Sequence, residues 1–173
     1  MQDTQIHSTI TEAWNNNMPP IGFSVERLES LFNIAKFPAP GYYLTMSGKP
    51  SSDEKFVVRG YKSETHDYET LDKLIHRAFY DPKHIPLRLR QKLSVRLSGE
   101  DRIAREFTTS RSASKRRWCA ALVPAPNGES YGLLVIFGVA VGIKGRRRGT
   151  VLDNPVHTAI AKSFTLAQGG MAQ

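Results

Sequence analysis

The feature that most limits what this chain can fold into is the alternation in IPLRLRQKLSVRL, residues 85–97. Leu87, Leu89, Leu93, Val95 and Leu97 fall on odd positions, and Arg88, Arg90, Lys92 and Arg96 on even ones. Successive side chains of a strand point to opposite faces, so a strand over 87–97 sets leucines on a core and a row of cations toward solvent. The cations then repeat about every 6.6 Å, a spacing suited to tracking an extended nucleic-acid backbone. A structural reading is also open, because Lys and Arg on an edge strand discourage other chains from pairing with it.

Charge is unevenly placed along the 173 residues, whose formal net charge is +8. Residues 1–80 hold 8 Lys and Arg against 10 Asp and Glu, whereas residues 81–173 hold 16 against 6. That asymmetry points the second half at a polyanion, either nucleic acid or an anionic lipid surface. A single cysteine, Cys119, excludes an internal disulfide and any cysteine-rich zinc site, and its apolar neighbours mark it as a core residue. The start of the chain has no basic stretch followed by an apolar one. The longest apolar run, 131–143, falls short of the roughly 20 residues of a membrane-spanning helix. The expectation is an intracellular, cytoplasmic protein with at most peripheral membrane contact.

The organisation expected is a polar arm over 1–23 and one α+β domain over 24–173. The arm carries Ile6, Ile10, Trp14, Pro19, Pro20 and Ile21, spaced as anchors for docking on a second copy. Ser24 is placed to cap a helix over 25–36, and Asp67 a helix over 68–79. Strands are expected over 42–46, 56–61, 87–97, 118–123 and 131–143, the last bent or bulged at Gly132, Gly138 and Gly142. Residues 100–107 read as one or two helical turns, 108–115 as a loop, and 155–166 as a final helix capped by Asn154. The fold expected is an antiparallel sheet of about five strands with helices packed on one face.

No catalytic constellation is present. The five histidines have no ligand spacing, and there is no Cys-x-x-Cys, His-Glu-x-x-His, Gly-x-Ser-x-Gly or Walker loop. Neither cofactor nor metal is expected, and the chain reads as non-enzymatic. Its candidate binding residues are cations in three clusters: Arg88, Arg90, Lys92 and Arg96; Lys115, Arg116 and Arg117; and Lys144, Arg146, Arg147 and Arg148. Lys115-Arg-Arg117 also matches a nuclear-import patch, and Arg147-Arg-Gly-Thr150 a basophilic kinase site. Few aromatics interleave with these cations, mainly Phe107, Trp118 and Tyr131, which favours backbone-level contact over base reading.

Element order and character over 55–100 resemble the matrix proteins of rhabdoviruses, especially the short ones of plant-infecting members. Phe56-Val-Val-Arg-Gly-Tyr61, the helix opened by Tyr68 and LRLRQKLSVRL carry the resemblance. It implies a structural assembly protein that self-associates, condenses a nucleocapsid and coats an anionic membrane. The family's Lys-rich arm and Pro-Pro-x-Tyr are missing, since 1–23 has no Lys or Arg and Pro19-Pro-Ile-Gly22 lacks the tyrosine. The alternative function is a sequence-non-specific RNA-binding regulator or silencing-suppressor-type module.

Overall fold

The computed structural model describes residues 5–6, 21–35, 42–49, 54–79, 87–111, 114–126, 130–141 and 151–166. In chain order the strands are β1 (Gln5–Ile6), β2 (Phe23–Glu26), β3 (Phe32–Ile34), β4 (Tyr42–Gly48) and β5 (Lys55–Lys62). Helix α1 (Tyr68–Ala78) precedes β6 (Leu87–Leu97), β7 (Glu100–Arg111), β8 (Ser114–Pro124) and β9 (Tyr131–Val141). A 3-10 turn (Val151–Asp153), α2 (Pro155–Ser163) and β10 (Thr165–Leu166) complete the order. Seven strands form one antiparallel sheet in the order β3-β4-β5-β9-β8-β7-β6, and β1-β2-β10 form a small second one.

Both faces of the large sheet are buried, and this sets the layer order. β8 and β9 are apolar on consecutive positions, so they must be covered on both sides. Leu133, Val135 and Phe137 of β9 join Cys119, Ala121 and Val123 of β8 in one cluster, closed by Phe23, Val25, Val151, Ile160 and Phe164. Leu134, Ile136, Trp118, Ala120 and Leu122 form the other cluster, closed by Leu71, Leu74 and Ile75 of α1. The two helices therefore lie on opposite faces. Asp67 starts α1 by accepting from the Thr70 amide and hydroxyl, both at 3.0 Å. Asn154 starts α2 by accepting from the Val156 amide at 2.8 Å, with Pro155 in the first turn.

The expected α+β fold with five strands and helices on one face is corrected: the chain is mostly β, with a seven-stranded sheet. Two misread segments account for the difference. The described part of the helix expected over 25–36 is instead the end of β2 and β3, separated by a tight turn in which Leu28 takes φ 53° and its carbonyl accepts from Leu31 and Phe32. Residues 100–107 and most of 108–115 are β7 and the start of β8, not helical turns and a loop. The β6–β7 hairpin turns on Ser98 and Gly99, with φ of 55° and 78°, the positive pair a two-residue turn of this hand requires. Pairing is unshifted at Gly132 and Gly138, so neither is a bulge; Gly142 lies outside the described residues.

The one bulge that matters is in β6. Leu89 pairs with Phe107 and Lys92 with Arg105, which leaves Arg90 and Gln91 opposite Glu106 alone. An extra residue inverts the alternation. Leu87 and Leu89 consequently pack in the cluster beside α1, while Leu93, Val95 and Leu97 pack in the one beside α2. The cations divide the same way, so the row expected on a single face does not exist.

Candidate polyanion interface

β6 is the outermost strand of the seven, so its outward backbone groups face no neighbouring strand among the described residues. Side chains of α1 and β7 donate to three of its carbonyls. Tyr68 Oη donates to the Leu93 carbonyl at 2.9 Å, Arg105 Nη1 to that of Arg90 at 2.7 Å, and Arg102 Nε to that of Leu97 at 3.1 Å. The bulge in β6 is a feature that blunts an edge against strand addition.

The charges of β6–β8 are neutralised at one end of the strands and not at the other. Toward the Ser98–Gly99 hairpin, Arg96 meets Asp101 at 3.2 Å and Arg102 meets Glu100 at 3.5 Å. Midway, Arg105 grips Asp72 of α1 with two hydrogen bonds of 3.0 and 2.7 Å, and this carboxylate holds the guanidinium above its usual range. Lys92 lies 4.8 Å from the centre of the Tyr68 ring. These groups have partners within the fold.

Toward the turn after Arg111 the balance is lost. Arg88, Arg90 and Lys115 are exposed and make no ion pair among the described residues. Thr108 pairs with both Arg88 and Arg117, so those arginines stand on the same face about 10 Å apart, two strand spacings. Lys115 follows on that face, two residues from Arg117. Arg116 points to the α1 face, where burial first and Arg116 second lower the pKa of Lys55. The carboxylate here, Glu106, is buried and already engaged: it accepts from the Val151 amide at 2.9 Å and from Gln91 at 3.4 Å, with Arg117 at 3.7 Å. Phe107 and Trp118 are buried, so they offer no platform for stacking bases.

Of the expected site residues, the structure thus sets Arg88, Lys115 and Arg117 on one face at this end of the strands with Arg90 at the adjoining bulge, leaves Arg116 on the opposite face, and separates Lys92 and Arg96 from them. Lys144, Arg146, Arg147, Arg148 and Thr150 lie outside the described residues. So do Ile10, Trp14, Pro19 and Pro20 of the expected self-association arm. Ile6 belongs to β1, whose register pairs it with Val25, and Ile21 is buried in the chain's own core. The nuclear-import match at 115–117 sits in a strand paired on both edges, where it is not an extended free peptide. Among the described residues no helix is long and apolar enough to cross a membrane. Cys119 is the core residue expected, fully buried with its thiol pushed up by burial.

No family model matches the sequence, and no curated protein matches it. The fold does have a solved counterpart. The solution structure of cyanobacterial PsbP (CyanoP) from Synechocystis sp. PCC 6803 superposes with a TM-score of 0.56, covering 84% of this chain and 86% of that one. Identity is 11%, so the likeness is one of fold. It bears on the seven-stranded architecture and not on the resemblance to rhabdovirus matrix proteins.

Proposed function

We propose that this chain is a non-enzymatic binding protein that holds phosphate-bearing polymers or surfaces, an RNA backbone foremost, through the unneutralised end of β6–β8. The observation that carries the reading is the contrast between the two ends of the same strands. Near the hairpin each arginine faces a carboxylate; near the 111–114 turn, Arg88, Arg90 and Lys115 do not. Like charges held together on a rigid sheet repel, and a polyanion relieves that repulsion while releasing its own counterions. Contacts of this kind fix position on a backbone without reading bases, which agrees with the burial of Phe107 and Trp118. Coating of an anionic membrane and self-association through the N-terminal arm, expected over 1–23, belong to the same proposal, as parts of an assembly role.

The test pairs a fluorescent single-stranded RNA with vesicles containing phosphatidylserine, each at low and high salt, while light scattering follows oligomer size. Binding that salt abolishes is expected. RNA binding without vesicle binding or growth of oligomers reduces the role to an RNA-binding module. A protein that ignores both partners at low salt overturns the proposal.

A further inference from the structure

We infer that the cleft between α1 and β5 is a receptor for a single phosphate group. This site is separate from the end of β6–β8 and does not rest on the role proposed for it. The cleft has a volume of about 60 Å³, with Leu74 and Leu134 among its apolar walls, Arg59, Gly60 and Tyr61 along β5, and Arg77 on α1. A pocket for a whole ligand usually exceeds about 300 Å³. This one has room for one small polar group and none for a base or sugar.

Its two arginines set the chemistry. Arg59 alternates with Val57 and Tyr61 on the α1 face of β5, and its guanidinium is held 4.6 Å from the centre of the Tyr42 ring, with Nη1 donating to Tyr42 Oη at 3.3 Å. The aromatic ring and the hydroxyl orient that guanidinium without neutralising it. A guanidinium carries five N–H donors in a fixed fork, so Arg59 keeps donors to offer. Arg77 stands on the last turn of α1, exposed, with no ion pair among the described residues. The helix dipole explains a cation at that position, but not a second arginine on the lining of the same cleft. No carboxylate lines the cleft among the described residues. Tyr61 is part of the lining, its hydroxyl bonded to His66 Nδ1 at 2.8 Å and its pKa raised by burial, so it stays neutral beside an anion. A cleft with apolar walls and two arginines on its lining suits a dianionic tetrahedral group better than a planar carboxylate, because more of its oxygens can accept from guanidinium donors.

The experiment is an amide-resolved NMR titration of the full chain at constant ionic strength with inorganic phosphate and with O-phosphoserine, using dimethyl phosphate as the monoanionic control. Saturable shifts are expected at Gly60, Tyr61 and Arg77 with inorganic phosphate; with O-phosphoserine they mark the source as an ester, and their absence there marks it as the free anion. Arg77→Gln, an exposed change that leaves the core alone, is expected to weaken binding about tenfold or more, and Arg59→Gln likewise. Lys73→Gln, on the same helix but paired with Glu69 at 3.8 Å, is expected to change it little. Shifts that are unsaturable or spread over every cation, equal affinity for dimethyl phosphate, or affinity indifferent to Arg77→Gln would overturn the inference.

Discussion

Gly138→Ala is the sharpest test of how the sheet is packed. Gly138 pairs with Lys55 on one side and Trp118 on the other, and the indole of Trp118 lies over it. A methyl added at Gly138 would fall 2.4 Å from Trp118 Cε3, 2.5 Å from Cζ3 and 3.2 Å from Cδ2. Carbon atoms pack at about 3.5–4.0 Å, so the ring must retreat by about 1 Å or the strand must give. The ring has little freedom. Phe79 stands edge-on at 4.8 Å, Phe107 is stacked at 6.2 Å, and Nε1 donates to Thr109 Oγ1 at 2.9 Å. Overpacking of this kind costs about 1–3 kcal/mol, and losing the indole hydrogen bond costs about 1 kcal/mol more. The lower entropy of the unfolded alanine chain returns about 0.4–1 kcal/mol. A net loss of about 2 kcal/mol is expected from urea unfolding followed by circular dichroism. The same change in a Trp118→Leu background should cost much less, since the clash is gone. A Gly138→Ala variant as stable as its parent would refute the packing argument.

Other outcomes follow from groups buried elsewhere. His157 is fully buried, edge-on to Phe137 and 3.4 Å from the Val151 carbonyl, and burial lowers its pKa more than that carbonyl and nearby Glu54 raise it. Below an ordinary value near 6.5 the unfolded chain binds a proton that the folded chain refuses. Its contribution to stability is thus complete above that pH and declines as pH falls toward the lowered folded value, at up to about 1.4 kcal/mol per unit. Unfolding free energies between about pH 7.5 and 5 measure the slope, which His157→Gln should reduce. Glu106→Ala removes the acceptor of the Val151 amide and the counter-charge of Arg117. A loss of about 2–4 kcal/mol is expected in urea unfolding, and one under about 0.5 kcal/mol would contradict the tether. The Cys119 thiol should resist a thiol reagent in the folded protein and react at full rate in denaturant, and rapid native reaction would show the core open.

Local chemistry was legible where local rules decided the outcome. Asp67 before an amphipathic stripe marked α1, Asn154-Pro155 marked α2, and strict alternation marked β6 to the residue. β7 was hidden because its charges mimic a helix surface; what makes EDRIAREFTTSR a strand is its place between β6 and β8, with Arg105 answered by Asp72 and Glu106 by Val151. The stripe at Val25, Leu28 and Phe32 fits a helix as well as it fits two short strands, and only the turn at Leu28 separates them. The bulge at Arg90–Gln91 shows in the sequence only as Gln91, one polar residue among the apolar odd positions, yet it sends Arg88 and Lys92 to opposite faces. The cationic cluster was therefore legible as composition, while its division into neutralised and free ends required the partners. Arg59 and Arg77 escaped notice because each is an isolated cation in sequence, and only the fold sets both on the lining of one cleft.

The most direct measurement is the salt dependence of binding to a short single-stranded RNA, compared between the parent, an Arg88→Gln/Lys115→Gln double variant and Arg96→Gln. Each phosphate contact on a single strand contributes about 0.7 to the slope of log K against log salt. A loss of about 1.4 is expected for the double variant, and no change for Arg96→Gln, whose arginine already faces Asp101. Equal losses in both variants, or none in either, would contradict the claim that the free charge of this sheet lies at one end.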